Sequence, residues 1–315
     1  MIREGNAMKK VLIDCDVGVD DALALILAFH APEIEVKAVT GVNGNVPLET
    51  VFTNIQKVLS LIQPKNRPVI ARGAERPLKG HTIHAHSVHG KTGLGEAKVD
   101  LKEGEDWWTL FPGDAHELIT ETARQFPEEL TLIAVGPLTN LALGIERDPG
   151  GMRLLKEIVI MGGVVRTRGN TTPYAEFNIY SDPVAAQIVF ESGIPITLVP
   201  LDVTHQVFLT PDRMEEQILP MDTPFSNFLV DATGYDRVTH RFRNRESIFL
   251  HDPLAVGVVI DPTLVKTESL SLRVETSEGD EWGRLAEVKE GPKIDVGLKV
   301  DAERFLKLFV SGLRG

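Results

Sequence analysis

Four aspartates, Asp14, Asp16, Asp20 and Asp21, fall within eight residues of the segment LIDCDVGVDDALAL. Carboxylates at this density repel one another unless something cationic joins them. A hard divalent cation held by oxygens is the simplest resolution. The bland alternative is helix capping plus solvated charge, which one aspartate would satisfy and four exceed. Further along, His251 and Asp252 stand together in HDP, where the carboxylate favours the imidazolium and suits an acid. Asp252 is equally good capping chemistry for the helix PLAVGVVI. In GNTTPYAEFN, Asn170, Glu176 and Asn178 lie within nine residues around Phe177. Such groups can hold hydroxyls, although a loop Asn is often only a turn residue. The segment HTIHAHSVH carries His81, His84, His86 and His89, four of nine histidines. Their spacing lacks a clean zinc-ligand pattern, so loop residues are expected there.

The elements that must position these groups alternate. VLID, an apolar run rich in branched residues, reads as a buried strand. It leads through the Asp-rich turn into an apolar helix over 20–30, with Asp20 as N-cap. Being two apart, Asp14 and Asp16 should share one face of the strand end. EVKAVT is the next strand, GVNGNV a loop, and 48–62 a helix. TLIAVG, EIVIMGG and ITLVPLDVT read as strands, with helices in PLTNLALGIER and DPVAAQIVFES. Residues 222–250 read as a polar helical stretch with the basic turn RFRNR. Short strands follow over 270–300, then the helix ERFLKLFVSG. Strand–helix alternation with near-continuous apolar strands implies α/β architecture: one domain with a mostly parallel, open, Rossmann-like sheet covered by helices on both faces. The carboxyl ends of such strands are where ligands bind.

The chain has 315 residues, 43% of them hydrophobic and 25% charged, which excludes disorder and coiled coil as readings of the whole. Lys+Arg 33 against Asp+Glu 45 gives a net charge of −12, a poor basis for binding nucleic acid. One cysteine, Cys15, excludes an internal disulfide framework and a Cys-rich zinc site. No stretch reaches about 18 uncharged apolar residues, so no membrane helix is expected. Residues 1–7 lack the core of a signal peptide and read as a short leader to a domain over 8–315. A cytoplasmic location is expected.

The Asp-rich turn also fits the start of a haloacid-dehalogenase-like phosphatase, with Asp14 as nucleophile and Asp16 as acid/base around Mg²⁺. Its second Asp pair departs from that pattern. DCDVGVDDALAL more closely resembles the D-[TC]-D-P-G-x-D-D-A signature of the inosine–uridine preferring nucleoside hydrolases. TGVNGNV, VHGKTGLG, AVGPLTNLA, VIMGG, GNTTPYAEFNIYSDPVAA, LDVTHQ and HDPLAV match in order, over about Lys10 to Asp261. Val17 departs from the usual Pro, which costs the turn some stiffness but removes no carboxylate.

The resemblance implies the nucleoside hydrolase fold and calcium-dependent hydrolysis of the N-glycosidic bond of ribonucleosides, giving ribose and free base through an oxocarbenium-like transition state. It implies a Ca²⁺ held by Asp16, Asp21, Asp252 and the carbonyl of Val135, with Asp16 also the general base. Asp20 would meet the 2′-hydroxyl and Asn178, with Asp252 near it, the 3′-hydroxyl. Asn170 and Glu176 would take the 5′-hydroxyl, with Asn45 at the same rim and His89 beside the site. Met161 would pack near the sugar, where core filling is the alternative role. His251 would be the acid toward the leaving base, under a stretch carrying Tyr235, Arg237, His240 and Arg241. A homodimer or homotetramer is implied, with no membrane or nucleic-acid partner. The alternative from another class is a non-catalytic, metal-dependent nucleoside or ribose binder.

Overall fold

The computed structural model describes residues 8–101, 104, 106–243 and 246–315. The leader read over 1–7 and part of the basic turn RFRNR lie outside the described residues. Strands occur at β1 (Lys9–Cys15), β2 (Ile34–Gly41), β3 (Val69–Arg72), β4 (Thr109–Leu110), β5 (Leu130–Ala134), β6 (Glu157–Met161) and β7 (Ile196–Val199). They continue at β8 (Phe208–Leu209), β9 (Tyr235–Asp236), β10 (Arg241–Phe242), β11 (Ile248–Phe249), β12 (Val265–Val274), β13 (Leu285–Glu287) and β14 (Lys293–Val300). Ten of these form one sheet in the order β13-β12-β14-β7-β6-β5-β1-β2-β3-β4. From β14 to β4 every neighbouring pair is parallel, and β12 is antiparallel to both β14 and β13.

Side chains alternate across β1 as the strand period requires. Val11, Ile13 and Cys15 join one apolar core with the helices Val19–His30, Leu48–Ile62, His251–Ile260 and Ala302–Gly312. Leu12 joins the other with Ala115–Gln125, Thr139–Arg147 and Pro183–Phe190. Helices thus cover both faces, which is why the central strands are apolar almost throughout. The helix Val19–His30 is packed nearly all round, with Ala22 to Ala28 buried without a break.

β1 lies between β2 and β5, so chain order reverses beside it. A crevice therefore opens past the carboxyl ends of β1 and β5, at the switch point of the sheet. Asp16 and Val135 stand one residue beyond those two strand ends.

Several expectations change. ITLVPLDVT is not one strand, because Pro200 ends β7 and the helix Leu201–Thr204 begins directly. The stretch 222–250 is a helix only over Pro224–Thr233, stopped by left-handed Gly234, with β9, β10 and β11 following. β3, β4 and the helix Ala115–Gln125 are additional elements. That helix carried a readable signal, since the Asp114 N–H donates to Glu117 Oε2 at 2.9 Å as in a capping box.

Candidate active site

The two aspartates of the first turn part company. β1 ends at Cys15, so the period of two no longer places Asp16 with Asp14. Asp14 Oδ1 accepts from Thr40 Oγ1 at 2.5 Å and from Asn140 Nδ2 at 2.8 Å. Burial pushes its pKa up to about 7, against the pull of those two hydrogen bonds. Asp16 instead accepts from the Asn45 backbone N–H at 2.6 Å and from Asn45 Nδ2 at 3.1 Å. Asp14 does not line the cleft and is tied to Thr40 and Asn140 instead.

The turn between strand and helix is built around Asp21. Its Oδ1 accepts from the Asp16 N–H at 3.1 Å, and its Oδ2 from the Gly18 N–H at 2.8 Å and Asn45 Nδ2 at 3.2 Å. The helix starts at Val19, so Asp20 lies inside its first turn and is not the N-cap. Asp252 is likewise inside the first turn of His251–Ile260, whose N-cap position is Leu250, so the capping reading falls. Gly44 admits the Asp16 carboxylate, because a Cβ there would stand 2.0 Å from Asp16 Oδ2.

Carboxylate oxygens of Asp20, Asp21 and Asp252 all lie within 4.8 Å of one another. Asp16 stands beside this trio, tied to it through Asp21 and Asn45. Asp16, Asp21 and Asp252 are buried, and Asp20 Oδ1 is a buried atom without a hydrogen-bond partner. Burial, then mutual repulsion, raises the pKa of Asp16, Asp21 and Asp252. A set of oxygens alone, one residue of which carries an orphaned buried acceptor, fits a hard cation. Among the described residues the histidines of the 81–89 segment form no such group. His84 Nδ1 instead contacts the Gly44 carbonyl at 2.9 Å, which braces the loop under Asp16.

Above the carboxylates a cleft of about 170 Å³ is lined by Asp20, Asn45, His89, Val135, Met161, Asn170, Glu176, Asn178, His251 and Asp252. Ten residues singled out from sequence thus meet on one surface, while Asp16 and Asp21 lie beneath it, fully buried. Asn178 Nδ2 donates to the carbonyls of Val135 at 2.9 Å and Met161 at 3.1 Å, leaving its Oδ1 to accept from a ligand. Glu176 is more committed than expected. It caps the helix Phe177–Ser181 and accepts from the N–H groups of Gly163, Asn178 and Ile179. Asn45 spends its amide on the aspartates. His89 Nδ1 accepts from the Val19 N–H at 3.1 Å and lies 3.8 Å from Asp20 Oδ1. Asn170 Oδ1 accepts from the Phe177 N–H at 2.9 Å, which closes the loop over the rim.

His251 differs from its sequence reading. Burial pushes its pKa down to about 4, although the charge of Asp20 pulls it up, so the ring is neutral where an imidazolium was expected. Tyr235, Arg237, His240 and Arg241 do not line the cleft. Tyr235 and His240 contact Glu215, and Arg237 donates to Asn227 Oδ1. Ala85, Val88, Thr171 and Phe177 complete the lining; the last three lie inside the matched segments, although sequence reasoning gave them no role.

Comparison with known proteins adds to this geometry. The family model described as inosine-uridine preferring nucleoside hydrolase matches residues 11–307. The chain is 34% identical over 311 residues to a pyrimidine-specific ribonucleoside hydrolase RihA of Salmonella gallinarum, covering 96% of this chain and 98% of that protein. It is 33% identical over 312 residues to the inosine-uridine preferring nucleoside hydrolase of Leishmania major, covering 97% of each. Among solved structures, a plant nucleoside hydrolase superposes with a TM-score of 0.88 at 31% identity, covering 98% of this chain and 100% of the other. A purine-preferring ribonucleoside hydrolase from Gardnerella vaginalis gives 0.87 at 30% identity, covering 98% of each. The chain belongs to the inosine-uridine preferring nucleoside hydrolase family and is a ribonucleoside hydrolase.

Proposed function

We propose that this hydrolase cleaves the N-glycosidic bond of ribonucleosides with Ca²⁺ as its cation, through the residues gathered at the end of β1. The carrying observation is the trio Asp20, Asp21 and Asp252, whose oxygens lie within 4.8 Å of one another. Oxygens gathered this closely are the donor set a hard cation would take. When bound, it would polarise a water molecule and lower its pKa. Asp16, Asp21, Asp252 and the Val135 carbonyl are the proposed ligands, with Asp20 adjoining them.

Asp16 takes the proton of the attacking water. Two N–H groups of Asn45 hold its carboxylate in one plane, and Gly44 leaves room for it. Asp20 and the free Oδ1 of Asn178 receive the vicinal ribose hydroxyls, with Asp252 near the 3′ side. Asn170, Glu176 and Asn45 border the 5′ end, and His89 and Met161 flank the sugar. His251 meets the departing base. Burial of the carboxylates supports this reading, since charge–charge interactions strengthen where water is excluded. We assign the activity to one unit over 8–315, acting in the cytoplasm as a homodimer or homotetramer.

The test is ribose release from inosine, uridine and cytidine by the pure protein, with calcium and with chelator. Release that depends on calcium is expected, and the base preferred falls out of kcat/KM across the panel. No ribose from any ribonucleoside with calcium present would overturn the reading.

A further inference from the structure

His251 opens its helix at the cleft, and its ring is fixed from behind. Its Nδ1 lies 2.8 Å from Thr204 Oγ1. Thr204 ends the short helix after β7 and is fully buried. Its hydroxyl has one hydrogen-bond partner among the described residues, the His251 ring. The ring is also walled by His205, with centroids 5.7 Å apart, and by Phe249, 5.6 Å away. His205 and Phe249 contact each other at 5.0 Å, so the imidazole sits in an aromatic frame with little freedom to turn.

The direction of that hydrogen bond follows from the inventory of donors. A neutral imidazole has one N–H and one bare nitrogen, and a hydroxyl has one O–H and two lone pairs. If Nδ1 donated to Thr204, the buried O–H would be left without an acceptor, which burial penalises. If Thr204 donates to Nδ1, only lone pairs go unused, and the imidazole proton must sit on Nε2. His251 lines the cleft, so Nε2 is the nitrogen left to meet a ligand.

We propose that Thr204 is a positioning residue that fixes His251 as the Nε2–H tautomer, so that the ring presents a hydrogen-bond donor to the departing base. The inference rests on the ribonucleoside hydrolase reading of the cleft. A ring protonated on both nitrogens would likewise leave the buried Thr204 hydroxyl without an acceptor, so its single partner is best met by a bare Nδ1.

The step balances without transfer of the imidazole proton. Water gives its oxygen to C1′ and a proton to Asp16. The C1′–N bond breaks, and its electron pair leaves with the base. The Nε2–H hydrogen bond stabilises the charge gathering there, as a neutral imidazole can do without becoming an imidazolate. Solvent then supplies the proton that neutralises the base, and Asp16 returns one proton to solvent.

The experiment compares the parent with Thr204→Val, which keeps the shape, and Thr204→Ser, which keeps the hydroxyl. Thr204→Val should lower kcat on inosine and uridine by about 10–100-fold, the range for loss of a residue that orients a reacting group, with KM nearly constant. On p-nitrophenyl β-D-riboside, whose phenolate leaves without help, the loss should stay within about threefold. Thr204→Ser should recover most of the nucleoside activity. Nitrogen-15 spectra of the parent, with the His251 signals assigned by difference from His251→Gln, should show Nδ1 bare and Nε2 protonated. The reverse pattern overturns the proposal, as does an equal loss on all three substrates or no loss at all. A parent inactive on every ribonucleoside would sink the function, while the spectrum would still decide the tautomer.

Discussion

Asp21 and Asp148 are the same chemical group under opposite constraints. Asp148 lies on the far face, where the Arg124 guanidinium grips both of its oxygens and the Gly151 N–H donates to Oδ1 at 3.0 Å. The hydrogen bond from Arg124 and then that from Gly151 hold its pKa down at about 2. Asp21 accepts three hydrogen bonds too, yet burial and the charge of Asp20 drive its pKa up. Among the described residues no Lys or Arg pairs with Asp16, Asp21 or Asp252. The difference teaches that hydrogen bonds from neutral donors orient a carboxylate without neutralising it. The far face is complete as folded, whereas the cleft floor is finished only by a positive charge from outside the chain.

The sharpest way to break this contrast is to remove a carboxylate from the floor. Asp16→Ala should lower ribose release at least about 10³-fold, through loss of the base. The chelated variant should melt no lower than the chelated parent, because a buried unpaired charge has gone. An active variant would remove Asp16 from its role, and a lower melting temperature would show the floor to be balanced already. Next in size is removal of the cation. At calcium near a hundred times its Kd, the parent should be stabilised by about 2.7 kcal/mol, read as a shift in Tm that chelator abolishes. Asp252→Asn should lose most of that shift.

Smaller effects belong to the far face. Asp148→Ala should cost about 1 kcal/mol in denaturant unfolding, the usual loss for an N-cap, with kcat/KM retained. A tenfold fall in kcat/KM would mean that the two regions are coupled. The smallest effect is one of pH. Burial, then the charge of Arg147, lowers the pKa of His116 below 6.5. The unfolded chain then binds its proton first on acidification, so this contribution to stability is complete above pH 6.5 and lost as pH falls through that region. Tm scans of the parent and His116→Gln should converge toward acid pH, and parallel curves would contradict the shift.

How much of this was readable in the sequence depended on the kind of signal. The helix over 48–62 is found at those bounds, and the apolar helix after the Asp turn begins one residue earlier than expected, at Val19. Both carry strong patterns with turn residues before them. β4 has two exposed residues and no pattern to find, and ITLVPLDVT hid a strand end and a helix start inside one apolar run. At the cleft, motif order named the residues, and the structure places ten of them on one surface. Their detailed duties were not readable. Nothing in EFN tells that Glu176 will spend its carboxylate on backbone N–H groups. Nothing in HDP tells that burial outweighs the charge of Asp20 at His251. The first follows from helix capping joined by the Gly163 N–H, and the second from packing by groups distant in sequence.

Lys9, the first residue of β1, donates to the Val259 carbonyl 250 positions away at 2.7 Å, at the far end of the helix that begins with His251 and Asp252. That contact sets a clock on biosynthesis. At about 5–20 residues per second, roughly 12–50 s separate the two partners as they leave the ribosome. For that interval the Asp-rich turn exists without Asp252 or His251, so the cleft lining is completed only after the helix His251–Ile260 has been made.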